Sequence, residues 1–219
     1  MAETPKTSFS RRGFLKGAGV TAATTVLESA QALARETRDT LHGEHVVGPD
    51  AVPVTLRVNG QDHAVTIEPR YTLAQTLRDS LSLTGTKVVC DRGSCSACTV
   101  WLDKTPSLAC MTLAIDAVGR EITTIEGMSQ GDVMHPVQAA FVKHDAMQCG
   151  FCTPGMVMSC AALLERNANP KLSDVKHAIS GNLCRCGTYP KIFAATLDVA
   201  QQRRQQAAGL VSLQTEREA

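Results

Sequence analysis

The sequence predicts an α+β fold, in which a small mixed sheet with one helix is followed by an all-α bundle of four helices. The first half contains two alternating apolar runs around Asn59-Gly60, a pair that strongly favours a β-hairpin. After Gly131 the apolar residues recur at helical spacing instead. Hydrophobic residues make up 43% and charged residues 20% of the 219 residues, which is ordinary for a globular protein.

The N-terminus is predicted to be an export signal. Residues 10–16 read SRRGFLK, which resembles the twin-arginine pattern S/T-R-R-x-F-L-K, and a weakly apolar stretch follows as far as Leu27. Residues 32–34 read ALA, a small-x-small site that suits signal peptidase. We therefore expect a twin-arginine signal peptide at 1–34, a linker at 35–52 and a periplasmic protein that is exported folded. The alternative is an N-terminal helix with an incidental arginine pair.

The first domain is predicted at 53–128. Apolar residues alternate with polar ones on both sides of the Asn-Gly pair, so two strands are expected there. A helix follows, with Thr72 as its N-cap and leucines at helical spacing at 73, 77 and 81. The segments CTVWLD (98–103) and EITTIEGM (121–128) predict further strands. Together they predict a small mixed sheet wrapped on one helix.

The second domain is predicted at 132–208, with a C-terminal tail at 209–219. Its first two helices are expected in HPVQAAFVKHDAM (135–147) and in TPGMVMSCAALLERN, where Thr153 would be the N-cap. A third helix is expected from Ser173 to Gly181, and a fourth opens at Thr188. The second of these helices is apolar nearly all round, which predicts that it is central and buried.

Four of the nine cysteines lie in the first domain, at the spacing C-x4-C-x2-C-x11-C: Cys90, Cys95, Cys98 and Cys110. This is the spacing of plant-type [2Fe–2S] proteins. The loop CDRGSCSAC is rich in small residues, which let backbone N–H groups approach the sulfurs of a negatively charged cluster. Zinc is one alternative, but zinc sites usually combine two close cysteine pairs, whereas three of these cysteines lie in one loop and the fourth stands alone. Disulfides are the other alternative in an exported chain.

A second quartet lies in the helical domain, at the spacing C-x2-C-x31-C-x-C: Cys149, Cys152, Cys184 and Cys186. Cys152 and Cys186 each precede a predicted helix start, where free N–H groups favour a thiolate-ligated cluster. The spacing alone leaves both a cluster and zinc open for this quartet. The ninth cysteine, Cys160, lies in mid-helix and is interpreted as a small buried apolar residue. The six histidines have no convincing ligand spacing.

Several classes of protein find no support in the sequence. The net charge is +1 and there is no strongly basic stretch, so no nucleic-acid partner is expected. The chain lacks an apolar run of about 18 residues, so no stable membrane span is expected. It also lacks the G-x-G-x-x-G fingerprint of a dinucleotide site.

Three motifs resemble the iron–sulfur subunit of the xanthine dehydrogenase/aldehyde oxidase family of molybdenum hydroxylases: GTKVVCDRGSCSACTV, QCGFCTPGMVM and SGNLCRCGTYPKI. The resemblance covers about residues 54–200. It implies a ferredoxin-like β-grasp domain followed by a four-helix domain, each holding one [2Fe–2S] cluster. The family loop usually reads C-G-x-C, and this chain has Ser96 at the glycine. Serine there puts the backbone angles of the loop in question, but not the ligands.

The resemblance also implies roles for individual residues. The quartet beginning at Cys90 would hold an outer cluster near the flavin, and the quartet beginning at Cys149 an inner cluster near molybdopterin. Gln148 matches a glutamine that hydrogen-bonds the pterin on the partner chain, and Cys186 would lie on the path to it. From residues alone, Gln148 is an ordinary surface amide.

The expected function is electron transfer within a molybdenum hydroxylase, most like a periplasmic aldehyde oxidoreductase. Molybdopterin would lie on a large subunit. The electrons would pass to FAD on a medium subunit or to another acceptor. This chain would carry no catalytic residue. One alternative is a free-standing ferredoxin-like carrier. A partner-facing surface at Met156, Met158 or Phe151 would argue against that alternative. The other is a secreted binding protein that is stabilised by zinc or disulfides.

Overall fold

A computed structural model of the chain describes residues 48–218, and side chains as far as Gly209. The predicted signal peptide at 1–34 and residues 35–47 of the predicted linker lie outside the described residues. Pro49–Ala219 form one compact unit. Both predicted domains therefore belong to the same body.

The chain enters the sheet through a tight hairpin. β1 (Val52–Val58) pairs antiparallel with β2 (Gln61–Ile67), and Val58 stands opposite Gln61. Asn59 and Gly60 have φ of 52° and 79°, the left-handed values that a two-residue type I′ turn requires. The predicted Asn-Gly hairpin is confirmed.

Three more strands complete a five-stranded mixed sheet: β3 (Thr99–Leu102), β4 (Thr105–Leu108) and β5 (Glu121–Thr123). The strand order is β2-β1-β5-β3-β4; β1 runs parallel to β5 and the other neighbours are antiparallel. The turn between β3 and β4 was not predicted. Asp103 and Lys104 both have positive φ there; aspartate tolerates that conformation, but lysine is not one of the residues that favour it.

The predicted helix after the hairpin is shorter and less regular than expected. Its first turn, α1 (Leu73–Gln75), is capped by Thr72 through a capping box, as predicted. It continues as a π-helical turn over Thr76–Ser80, so a regular α-helix as far as Leu81 is wrong. Leu73 and Leu77 are fully buried under the sheet.

Four helices form the second half, as predicted: α2 (Pro136–Lys143), α3 (Thr153–Arg166), α4 (Leu172–Ala178) and α5 (Tyr189–Glu218). Cys152 is the N-cap of α3, so the assignment of that position to Thr153 is wrong. α4 begins at Leu172 and ends before Gly181. α5 continues into the segment predicted as a tail. None of the helices described is long and apolar enough to cross a membrane.

The sheet and the helices share a packed boundary. The Trp101 side chain, from β3, lies in the hydrophobic core of the helical half, and its Nε1 donates to the Met158 carbonyl at 3.0 Å. Met156 and Met158 are fully buried in that core, so these two residues are not partner-facing. α3 is the buried central helix that its sequence predicts.

Candidate functional site

The first cysteine group lies at the end of the β3–β4 hairpin. Cys98 directly precedes β3 and Cys110 follows β4, so the strand pairing brings them side by side. The Cys110 N–H donates to the Cys98 Sγ at 3.5 Å, and the two thiols hydrogen-bond each other. Cys90 and Cys95 form a second thiol pair in the loop before β3. The four predicted residues therefore meet as two pairs.

The local electrostatics differ between the pairs. The backbone N–H of Arg92, helped by the Cys95 side chain, lowers the pKa of Cys90 to about 7. The Ser94 N–H also donates to the Cys90 Sγ, at 3.3 Å. Burial raises the pKa of Cys98 to about 12. A buried thiol of this kind becomes a thiolate ligand when a metal takes the place of its proton.

The second group lies where three helices begin or end. Cys152 caps α3, Cys149 precedes it, and Cys184 and Cys186 lie between α4 and α5. Here too the thiols meet in pairs, since Cys149 hydrogen-bonds Cys186 and Cys152 hydrogen-bonds Cys184.

Side chains near the start of α5 hold the second group in place. Tyr189 accepts a hydrogen bond from the Cys184 N–H at 2.8 Å and donates to the Asn182 carbonyl at 3.0 Å. Thr188 Oγ1 lies 3.4 Å from the Cys184 Sγ. Burial pushes the pKa of Cys184 upward, but hydrogen bonds from Thr188, the Cys152 side chain and the Gly187 N–H together outweigh it and the pKa falls to about 7. Burial raises the pKa of Cys152 to about 12.

The two groups differ in their access to solvent. In the first group Cys95, Cys98 and Cys110 are buried, and Cys90 is half-buried. In the second group Cys149 is exposed and the other three are half-buried. A surface cavity of about 640 Å³ beside this group is lined by Gln148 and Cys186 among others. The chain therefore brings Gln148 next to the second group, on its open side.

A backbone hydrogen bond and a shared cavity also connect the two cysteine groups. The Leu183 N–H donates to the Cys95 carbonyl at 3.1 Å, which joins the neighbour of Cys184 to the first group. A cavity of about 530 Å³ between the groups is lined by cysteines of both. Its rim carries apolar side chains with half or more of their area exposed: Val89 (58%), Phe151 (50%) and Leu183 (57%).

The thiol chemistry matches a binuclear cluster. No disulfide joins any of the nine cysteines, all of which lie in the described part of the chain, so the disulfide alternative is wrong. Among the described residues there is no set of three or more Cys, His, Asp or Glu gathered for one metal ion. The eight thiols instead meet two by two, and a [2Fe–2S] cluster takes two thiolates on each iron. The residues present therefore fit such a cluster.

Cys160 stands apart from both groups. Its side chain is fully buried in the helical core, and burial raises its pKa to about 11. It packs as the small apolar residue that the sequence predicts.

Comparisons with known proteins agree with this geometry. Three family descriptions match: a TAT (twin-arginine translocation) pathway signal sequence at residues 8–27, a 2Fe-2S iron-sulfur cluster binding domain at 56–114, and a [2Fe-2S] binding domain at 124–197. The aldehyde oxidoreductase iron-sulfur-binding subunit PaoA of Escherichia coli (strain K12) is 40% identical over 208 residues, covering 88% of this chain and 89% of the relative. This chain belongs to the family of iron–sulfur subunits of the molybdenum hydroxylases.

Other proteins are also similar to this chain in sequence or in structure. The nicotine 6-hydroxylase small subunit of Paenarthrobacter nicotinovorans is 45% identical over 153 residues, covering 70% of this chain and 92% of the relative. Among solved structures, quinoline 2-oxidoreductase from Pseudomonas putida 86 matches with a TM-score of 0.68 at 40% identity, over 71% of this chain and 98% of that one. Aldehyde oxidoreductase from Desulfovibrio gigas matches with a TM-score of 0.67 at 39% identity, over 71% of this chain and 17% of that longer one.

These findings confirm the predicted family, the order of the two [2Fe–2S]-binding domains and the twin-arginine signal. The signal directs the iron–sulfur subunit to the periplasm. Sequence reasoning missed Asn182 and Tyr189, and it used Thr188 only as a helix start. Their contacts with the cysteine groups arise from folding, and the only signal was their position beside Cys184 and Cys186.

Proposed function

We propose that this chain relays electrons from a molybdenum-containing large subunit, through two [2Fe–2S] clusters, to FAD on a medium subunit or to another acceptor. The observation that carries the proposal is that eight free thiols meet as two groups of two pairs within one compact body. When bound, each cluster supplies the capacity to take up and release a single electron.

The chain's own residues would hold the clusters and stabilise their negative charge. Cys90 and Cys95 would share one iron and Cys98 and Cys110 the other, while the second group divides in the same way, Cys149 with Cys186 and Cys152 with Cys184. The N–H groups around Cys90 and the N-terminus of α3 favour the charged form of the ligands. Because Cys98 and Cys110 belong to the buried core of the sheet, water is kept from that side.

The large subunit would cover the exposed side of the second group. Cys149 is exposed there, and Gln148 lines the neighbouring cavity with Cys186, which suits a glutamine that hydrogen-bonds a pterin. The exposed apolar rim formed by Val89, Phe151 and Leu183 is of the kind that partner subunits bury. These features favour a subunit of a complex over a free-standing carrier.

The substrate class follows from similarity to the aldehyde oxidoreductase subunit. The large subunit would add oxygen from water to an aldehyde, giving a carboxylic acid, two protons and two electrons. This chain would carry those electrons one at a time and would have no hydroxylase activity by itself.

The domain boundaries form part of the proposal. The signal peptide would occupy 1–34 and the linker 35–52, with the first cluster domain at 53–128, the second at 132–208 and a tail at 209–219. Cleavage after Ala34 would leave the mature chain, and N-terminal sequencing of periplasmic protein tests that boundary.

The test of the ligand sets is metal analysis and EPR on the complex purified with its partner. We expect about four irons per copy of this chain and two distinguishable [2Fe–2S] signals after reduction. Cys98→Ser should remove one signal and Cys152→Ser the other, each with about half of the iron. The control Cys160→Ala should retain both signals.

Zinc in place of iron, or loss of a signal in Cys160→Ala but not in the ligand variants, would contradict the assignment. Gel filtration tests the partner separately, because a free carrier elutes alone whereas a subunit elutes with the large chain.

A further inference from the structure

The turn that carries Cys95 and Cys98 is held by elements of the second cysteine group. A Cβ atom added at Gly155, in the first turn of α3, would lie 2.3 Å from the Ser96 carbonyl oxygen. One added at Gly181 would lie 3.1 Å from the Ser96 Oγ. The backbone at residues 95–97 thus lies directly against two segments that adjoin Cys152 and Cys184.

Three donors converge on the Ser96 carbonyl oxygen. Thr99 donates through its Oγ1 at 2.7 Å and through its N–H at 3.4 Å. Asn182 donates through Nδ2 at 3.2 Å. Thr99 belongs to the same half of the molecule as Ser96, whereas Asn182 belongs to the half that carries the second group.

Asn182 is itself held on the second-group side. The residue is only 4% exposed, and its N–H donates to the Ile179 carbonyl at 2.9 Å. Its carbonyl accepts the Tyr189 hydroxyl, which in turn accepts the Cys184 N–H. A continuous series of hydrogen bonds therefore runs from the Cys184 backbone through Tyr189 and Asn182 to Ser96.

We propose that Asn182 is a positioning residue, which fixes the separation between the two cysteine groups and so sets how readily electrons pass between their clusters. This inference rests on the proposed function, because it concerns the spacing of clusters that the groups would hold. A buried amide that loses its carbonyl partner keeps an unsatisfied donor, which is unfavourable, so the Asn182–Ser96 contact resists separation of the two segments. Electron passage falls steeply with distance, and a small displacement of the turn has a large effect on it.

The test compares variants of the complex with both clusters in place. Asn182→Ala removes the donor that comes from the second-group side. Thr99→Val removes a donor to the same oxygen from within the first half, and Asn167→Ala removes an asparagine at the far end of α3. The measurements are the spin–spin splitting between the two reduced clusters by EPR, and the rate at which an electron delivered to the second cluster reaches the first.

We expect N182A to retain about four irons and both signals, with altered splitting and a relay rate that falls several-fold. T99V and N167A should keep the splitting of the native complex. A native splitting and rate in N182A would overturn the proposal, and so would an equal change in T99V, because the effect would then come from the carbonyl and not from the link between the groups.

Asn182→Ser provides a second variant if N182A loses a cluster, because serine keeps a polar group but is too short to reach Ser96. Loss of a cluster from both variants would show that Asn182 is needed for cluster binding, which overturns a role in spacing. Absence of iron from the native complex would instead refute the proposed function itself.

Discussion

Thr188 shows how one hydroxyl acts on a cysteine group. Its Oγ1 lies 3.4 Å from the Cys184 Sγ, and its hydrogen bonds lower the pKa of that thiol in spite of burial. A donor that stabilises a thiolate also stabilises the extra negative charge of a reduced cluster, and hydrogen bonds to the sulfurs are among the factors that set cluster potentials.

We therefore expect Thr188→Val to make the reduction potential of the second cluster more negative and to leave the first unchanged. An EPR-monitored redox titration of the complex measures both potentials in one sample. Thr196→Val is the matched control, because Thr196 lies on the same helix and its hydroxyl bonds the Ile192 carbonyl and the Cys160 thiol, neither of which belongs to a cysteine group. An unchanged second potential in T188V would show that this hydroxyl does not tune the cluster.

The functional residues that can be predicted from the sequence are those that recur at a characteristic spacing. The eight cysteines of the two groups were found because thiolate ligands must recur at short intervals within a loop. Ser96 stands where the resemblance implies a glycine, and its φ of 53° is a left-handed value that glycine adopts more readily than serine. Asn182 and Tyr189 were not found, since their hydrogen bonds depend on how distant segments pack.

The first turn of α3 depends on a glycine for its close approach to the Ser96 carbonyl. Gly155→Ala would place a methyl group 2.3 Å from that backbone oxygen, which cannot move aside like a flexible side chain. We expect a loss of about 1–3 kcal/mol in the free energy of unfolding, because overpacking of this kind strains the backbone. In a chain of this size that lowers Tm by roughly 2–4 °C for each kcal/mol, measurable by calorimetry.

The control for this variant is Gly209→Ala, on the exposed part of α5, where an added Cβ meets open space. Alanine favours a helix over glycine by about 1 kcal/mol. The Tm of the Gly209→Ala variant should therefore be unchanged or higher. Equal losses in the two variants would show that the close approach of Gly155 does not matter.

An ion cluster ties the end of α2 to α5. Asp198 accepts from Lys143 Nζ at 2.7 Å and lies 2.8 Å from His144 Nε2. Side-chain hydrogen bonds hold the pKa of Asp198 well below its usual range, and the bond from Lys143 has a larger effect than the bond from His144. The stability that comes from the lowered pKa is fully present above the unfolded value of about 3.9 and is lost as the pH falls towards the folded one.

Asp198→Asn should therefore destabilise the chain at neutral pH, and its stability should fall less steeply than the native one below about pH 4. Denaturant unfolding at a series of pH values measures this. Lys143→Gln removes the first partner and keeps the carboxylate, so it should give an intermediate slope. Parallel pH profiles for D198N and the native chain would contradict the expected role of this carboxylate.

Elements were predictable where local chemistry decides them. Asn59-Gly60 favours left-handed angles by itself, and Thr72 satisfies free N–H groups at a helix start. The π-helical turn at Thr76–Ser80 carries no such local signature, and in the Asp103-Lys104 turn only the aspartate favours a positive φ. Their backbone angles are set by packing against the rest of the sheet, which short-range patterns do not contain.

For the whole molecule, the twin-arginine signal makes a prediction about transport. That pathway carries folded proteins, so clusters can be inserted in the reducing cytoplasm before export. Replacing Arg11 and Arg12 together by Lys should retain the assembled complex in the cytoplasm with its clusters intact. Cell fractionation with iron analysis of each fraction measures this.

The matched control replaces Arg35 and Arg38 by Lys, since these arginines lie outside the SRRGFLK pattern. That variant should reach the periplasm normally. Periplasmic, iron-loaded complex from the Arg11/Arg12 variant would mean that the pair is not what directs export.

The position of Trp101 limits how this chain can be divided or recombined. Two consecutive cluster-binding segments suggest interchangeable modules, and a protein engineer would cut near residue 130. The indole, however, is supplied by the sheet and fills the core of the helices. The sheet half by itself would expose the Trp101 indole to water. The helical half by itself would have a cavity in its core at the place that the indole fills in the intact chain. We therefore expect the two halves to fold and to be exchanged only as a matched pair.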